Sequence, residues 1–173
     1  MAELRRLVVV RHAKSARPAG VGDHDRPLNK RGLRDAPAVG AWLRDAGCVP
    51  DLVLCSTAVR ASRTWELAAA QLPAPPAVRH ERRLYGTPAT DLLDVVRRTP
   101  DAVRTLLLVG HNPAVQELVL LLASEALGDA LERARDKFPT SAIAVLAGQG
   151  SWPATGPGGA LLTDLAVPRG AED

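Results

Sequence analysis

Apolar runs of strand length recur along the chain at residues 7–10, 52–55, 106–109, 143–147 and 161–167, and segments of helical period separate the first four. Such runs are apolar throughout rather than alternating, so each strand expects cover on both of its faces. An alternation of strand and helix meets that demand with a mostly parallel sheet between two helical layers. The expected fold class is therefore α/β, a three-layer α/β/α arrangement around a mostly parallel central sheet.

The first helix is expected over residues 29–46, with Leu33, Ala36, Val39, Ala41, Trp42 and Leu43 on its apolar side and Gly47 as its stop, although Pro37 implies a kink. A second is expected over 58–72, ended by the proline-rich stretch 73–76. A third opens with Thr87 as N-cap and Pro88 at the first helical position, and a fourth runs from Asn112 and Pro113 to about residue 123. The glycine-rich stretch 148–159 reads as an exposed hairpin loop between the last two strands. It lacks the Gly-Lys-Ser/Thr ending of a phosphate-cradling loop, so no catalytic role is assigned to it.

At 173 residues the chain suits one domain, 1–173, with its core over about 5–167. No apolar stretch is long enough to span a membrane, and the first residues lack a signal-peptide pattern, which leads to the expectation of a cytoplasmic protein without membrane partners. The 22 basic residues exceed the 19 acidic ones only slightly, and they are scattered. With aromatics at 3%, neither a basic face nor a stacking platform argues for nucleic acid. Cys48 and Cys55 have no metal-ligand or redox spacing and read as small buried hydrophobes.

Catalytic sites of parallel sheets form where strands hand over to loops at their carboxyl ends. Arg11 and His12 follow the first strand, Ser56 and Thr57 the second with Arg60 one turn on, and Gly110 and His111 the strand at 106–109. Three separated strand ends thus deliver two arginines and two histidines. His24 and His80 lie in a polar loop and a peripheral segment and are given no role. Arginine presents paired donors that match phosphate oxygens, and neutral imidazole is a competent nucleophile toward phosphorus. Two guanidiniums beside His12 are expected to hold its ring neutral near pH 7. His111 is positioned to hydrogen-bond an equatorial oxygen as its charge grows.

The stretches VVVRHAKS, RPLNKRG, LVLCSTAVRASRT and LLLVGHNP, in that order, resemble the histidine phosphatase superfamily and within it the small SixA-like phosphohistidine phosphatases. The likeness runs from Leu7 to about Val167. It implies a phosphoglycerate mutase-like topology and metal-independent, cofactor-free hydrolysis through a covalent phosphohistidine. Carried onto matching positions, His12 is the nucleophile, Arg11 and Arg60 clamp the phosphate, His111 is the second pocket histidine, and Asn29 lies at the pocket's edge. Ala13 stands where the commoner signature has glycine.

Larger members of that superfamily also carry a carboxylic acid that protonates the leaving group. Glu81 is the nearest candidate by position, with Asp23 and Asp25 as others. Weak acid equipment suits a P–N substrate, because imidazole, with a pKa of about 6.5, leaves far more readily than an alkoxide. Segments 17–30 and 79–88 alone are placed to form a lid, so the pocket is expected to be shallow and open to a phosphorylated side chain. The expected activity is dephosphorylation of phosphohistidine on proteins. The alternatives are a phosphatase of small phosphate esters and a non-catalytic phosphate-binding module.

Overall fold

Val8, Val9 and Val10 are all buried, yet they face two different layers. The computed structural model describes residues 4–171 and resolves how. Seven strands form one sheet: β1 (Leu4–Arg11), β2 (Leu52–Ser56), β3 (Ala77–Glu81), β4 (Thr105–Gly110), β5 (Ala123–Ala126), β6 (Ile143–Gln149) and β7 (Ala160–Ala166), in the order β3-β2-β4-β1-β6-β7-β5. Only β6 runs against the others, antiparallel to both β1 and β7. Five helices cover the faces: α1 (Lys30–Asp45), α2 (Val59–Ala69), α3 (Ala89–Arg97), α4 (Ala114–Leu122) and α5 (Ala130–Asp136).

The period-2 geometry of a strand sorts the core into two layers. Leu7, Val9, Leu106 and Leu108 join Leu92, Val96, Val115, Leu118 and Ala134 from α3, α4 and α5. Val8, Val10, Leu107 and Val109 join Val39, Leu43, Ala61 and Trp65 from α1 and α2. Each fully buried Leu or Val contributes about 1.5–3 kcal/mol of transfer free energy. β1 and β4, central and buried on both faces, are the frame on which the remaining elements are placed.

Local signals set the ends of α1. The Asn29 side chain accepts from Gly32 N–H at 2.9 Å, the N-cap bond that satisfies a first-turn donor. At the far end Gly47 adopts φ +68°, while Cys48 N–H bonds Leu43 O and Gly47 N–H bonds Arg44 O, a Schellman closure. The helix runs through Pro37 without interruption.

Several expectations need correction. Leu33 is exposed rather than part of the apolar side of α1. In α3 the cap is Pro88, and the Thr87 hydroxyl instead donates to Arg83 O, closing the preceding 3₁₀ turn. β3, β5 and α5 were not foreseen: β3 is largely exposed, β5 is a four-residue edge strand, and α5 is seven residues with two buried positions. The connection from β6 to β7 is no simple exposed loop either. Trp152 within it is buried, donates its indole N–H to Val103 O at 2.9 Å, and lies under the Arg5 guanidinium. No helix among the described residues is long and apolar enough to cross a membrane.

The two helices on one face meet almost backbone to backbone at Gly40, where an added Cβ would stand 2.0 Å from Ala68 O. Gly40→Ala is therefore expected to destabilise the fold by about 1–3 kcal/mol through overpacking, despite gaining up to ~1 kcal/mol of helix propensity. Urea unfolding monitored by circular dichroism checks this, and an unchanged midpoint would mean that α1 and α2 separate freely.

Candidate active site

The parallel pairing of β1 with β4 runs in register from Arg6↔Thr105 to Arg11↔Gly110. The next residue of each strand is a histidine. His12 N–H bonds Gly110 O at 3.1 Å, and the rings of His12 and His111 stand 5.1 Å apart, centroid to centroid. β2 pairs with β4 in the same direction, which brings Ser56 Oγ to 2.7 Å from His111 Nε2. In the first turn of α2, Arg60 is 6% exposed and points to the same place.

Arg11, His12, Arg60 and His111 line one pocket of about 450 Å³, together with Lys14, Ser15, Arg17, Asp23, Arg26, Asn112 and Thr140. Arg11, His12, Arg60 and His111 thus come together as expected. Asn29 is not among the lining residues, because its side chain is committed to capping α1. Glu81 does not line the pocket either: it accepts from Arg83 N–H at 3.3 Å at the start of a 3₁₀ turn. Asp25 is exposed beside His24, 3.7 Å away.

Asp23 does reach the pocket, in a different capacity from proton donor. Its carboxylate accepts from Tyr85 Oη at 2.6 Å, Arg26 Nη1 at 2.9 Å and Arg60 Nη2 at 3.1 Å, while its backbone carbonyl accepts from Arg60 Nη1 at 2.6 Å. The tyrosine hydroxyl, followed by the two guanidiniums, holds this carboxyl well below the usual carboxylate range. A permanently ionised Asp23 fixes Arg60 and has no proton to give near neutral pH. Tyr85 also meets His111 edge-on at 5.6 Å and His24 at 4.8 Å.

Hydrogen bonding assigns the tautomer of His12. Nδ1 lies 2.7 Å from Ala13 O, a carbonyl that only accepts, so Nδ1 carries the proton and Nε2 keeps its lone pair. Burial is the leading influence that pushes the His12 pKa down to about 3; the bond to Ala13 opposes it, and His111, Arg60 and Arg11 add to it. The arginines were expected to lead. They follow desolvation instead, because the ring is 6% exposed. His111 is pushed down to about 4, again by burial first and then by Arg60.

Ser56 Oγ accepts from Ala58 N–H and hydrogen-bonds His111 Nε2, the ring nitrogen opposite Nδ1. That atom and Arg11 Nε are buried with no partner among the described residues, as are Asn112 Oδ1 and Ser141 Oγ. All four belong to the pocket or to its border. Ser141 takes φ +67°, a conformation costing ~1–3 kcal/mol for a residue with a Cβ. Its N–H approaches both Arg11 O and His12 O at 3.1 Å, which ties the turn before β6 to the site.

The signal for the missed lining residues lay close at hand. Lys14, Ser15 and Arg17 follow His12 directly, but nothing in the sequence says that the chain folds back over the pocket there. It does so because Asn29 N–H bonds Lys14 O, Ala16 N–H bonds Pro27 O, and Arg26 reaches both Ala16 O and Ser15 Oγ.

A profile of the histidine phosphatase superfamily (branch 1) matches residues 7–85. An uncharacterized protein of Mycobacterium tuberculosis is 48% identical over 92% of this chain and 100% of its own length. A structure from Nakamurella multipartitia, provisionally named phosphohistidine phosphatase SixA, is 33% identical over 96% of this chain and 98% of its own, with a TM-score of 0.85. The protein histidine phosphatase SixA complexed with tungstate shares the fold at 24% identity, with a TM-score of 0.75 over 94% of this chain and 97% of its own.

Both pocket histidines have folded values far below the ordinary 6.5, so both are expected to stay neutral on acidification to pH 5. Imidazole Cε1–H resonances followed by NMR check this; a midpoint near 6.5 for either ring would contradict the buried, desolvated site. The same depression has a sign for stability. Between pH 6.5 and 4 the unfolded chain binds more protons than the folded one, so the fold loses stability as pH falls through that window.

Proposed function

The chain belongs to the histidine phosphatase superfamily, and from that membership we propose a phosphatase that works in two steps through His12, with phosphohistidine on proteins as its substrate. In the first step the His12 Nε2 lone pair attacks phosphorus, and the bond from phosphorus to the leaving group breaks with its electron pair going to that group. In the second, water attacks the phosphorus carried by His12. The P–N bond then breaks, returns its pair to Nε2, and releases inorganic phosphate.

The observation that carries this reading is a neutral imidazole with a free Nε2, set beside Arg11, Arg60 and His111 in one pocket. Arg60 is held rigid by two bonds to Asp23, and preorganised cations of this kind gain most where charge is redistributed in the transition state. Arg11, which lines the same pocket, adds guanidinium donors for phosphoryl oxygens. Chemistry of this kind needs no metal, and no cofactor is invoked.

The choice of a P–N substrate rests on the proton inventory. Glu81 and Asp25 stand outside the lining and Asp23 is held ionised, so no carboxylic acid is poised to protonate an alkoxide. A phosphohistidine ring protonated on its other nitrogen needs less help, since it departs as neutral imidazole, whose conjugate acid has a pKa of about 6.5. A reading as phosphatase of small phosphate esters is retained as second, favoured by a pocket whose volume exceeds that of one phosphoryl group. A phosphate-binding module without turnover is disfavoured by the free Nε2.

Removing the nucleophile by His12→Ala is expected to reduce turnover to background and to abolish a labelled phosphoenzyme trapped without acid. Retained activity would reassign the nucleophile. Arg60→Ala is expected to lower kcat/KM by about 10²–10³-fold, the usual cost of a lost preorganised donor, with chelating agents leaving the wild type unaffected. A phosphohistidine peptide is expected to outpace an aliphatic phosphate monoester. The reverse order in kcat/KM selects the second reading.

A further inference from the structure

The pocket holds more positive charge than one phosphoryl group requires. Five cationic side chains, Arg11, Lys14, Arg17, Arg26 and Arg60, line it against the single carboxylate of Asp23. A bound phosphoryl group contributes at most two negative charges. Arg26 is committed to Asp23, Ser15 and Ala16, and Arg60 to Asp23. Arg11 belongs to the phosphate clamp. Lys14 and Arg17 are left, both exposed, and neither side chain has a hydrogen bond or ion pair among the described residues.

Their placement is built into the fold. The backbone that carries them is pinned at four points: Ala13 N–H to Thr64 Oγ1 at 2.9 Å, Asn29 N–H to Lys14 O at 3.0 Å, Ala16 N–H to Pro27 O at 2.8 Å, and Arg26 Nε to Ala16 O at 3.0 Å. Gly32 packs so tightly on this segment that a Cβ there would stand 2.1 Å from Lys14 O. The backbone that carries these two free cations is thus fixed beside His12, and both side chains line the pocket.

We propose that Lys14 and Arg17 form a second anion subsite, which selects substrates bearing another phosphate or carboxylate next to the transferred phosphoryl group. The subsite deepens the phosphatase reading and rests on it for the identity of the first anion. A cationic pair at the rim attracts a second anion through two routes: direct contact, and a focused positive potential that speeds encounter and weakens with salt. On a protein substrate the second anion is an Asp or Glu flanking the phosphohistidine; on a small molecule it is a second phosphate.

The test begins with binding, which needs no turnover. By calorimetry, wild-type protein is expected to bind tripolyphosphate at least tenfold more tightly than inorganic phosphate, and the variant carrying Lys14→Ala and Arg17→Ala is expected to lose most of that difference. Arg98→Ala, in a residue that closes the last turn of α3, serves as the charge control and is expected to keep the difference. Turnover then separates the sources. Phosphohistidine peptides with Glu or Gln flanks report a protein substrate, and a sugar bisphosphate against its monophosphate reports a small one. The double variant is expected to reduce kcat/KM for the favoured bis-anionic substrate at least tenfold more than for its singly charged counterpart. Equal losses on both, or a binding difference that survives in the double variant, would overturn the subsite. A wild type that shows the binding difference without hydrolysing any of these substrates retains the subsite and removes the phosphatase reading.

Discussion

Everything at the site follows from the register of β1 on β4. Arg11 opposes Gly110, so the residues that leave the sheet next are His12 and His111, side by side. A one-residue slip would exchange the faces of every side chain in β1 and send Leu7 and Val9 into the layer now filled by Val8 and Val10. Because both faces of β1 are buried, that slip disrupts the packing of both helical layers at once. The pairing of the two histidines is thereby protected by the core: the valines that hold the register are neighbours of His12, the proposed nucleophile.

Burial then supplies the chemistry. A histidine in water divides its time between charged and neutral forms near pH 6.5, whereas at the end of β1 the neutral form prevails because the protonated ring would be buried beside Arg60 and Arg11. Desolvation does more here than the arginines. Burial alone therefore favours the neutral ring, and Arg60 and Arg11 act in the same direction. The single hydrogen bond to Ala13 O completes the arrangement by fixing which nitrogen faces the substrate.

The central frame was legible because its signals are local and repeated. Apolar runs gave β1, β2, β4, β6 and β7, and positions just beyond three of those runs gave Arg11, His12, Arg60 and His111. What could not be read depends on tertiary partners. The residues of β3 are exposed and mostly polar or charged, so their strand state comes from pairing with β2 and not from an apolar pattern. β5 owes its state to β7 in the same way. Trp152 is buried because Arg5 and Val103, distant in sequence, cover it. Glu81, Asp23 and Asp25 were indistinguishable as loop carboxylates. Only the approach of Tyr85, Arg26 and Arg60 separates Asp23 from the other two.

Asp23 also links a loop to the electrostatics of the proposed phosphate clamp. Without it, Arg26 and Arg60 would face each other across a cationic pocket with nothing to offset their repulsion. With it, Arg60 is anchored to both the carboxylate and the main-chain carbonyl of one residue, which ties the 3₁₀ turn at Asp23–Asp25 to the α2 guanidinium. The carboxylate is nevertheless half exposed, and an exposed ion pair is worth at most about 1 kcal/mol. On the proposed reading, a phosphoryl dianion at the same guanidinium would bring twice the charge and several acceptor oxygens, enough to take over the side-chain contact while the carbonyl contact keeps Arg60 in place. The carboxylate thus holds the clamp in a receptive orientation without outcompeting the group it is meant to receive.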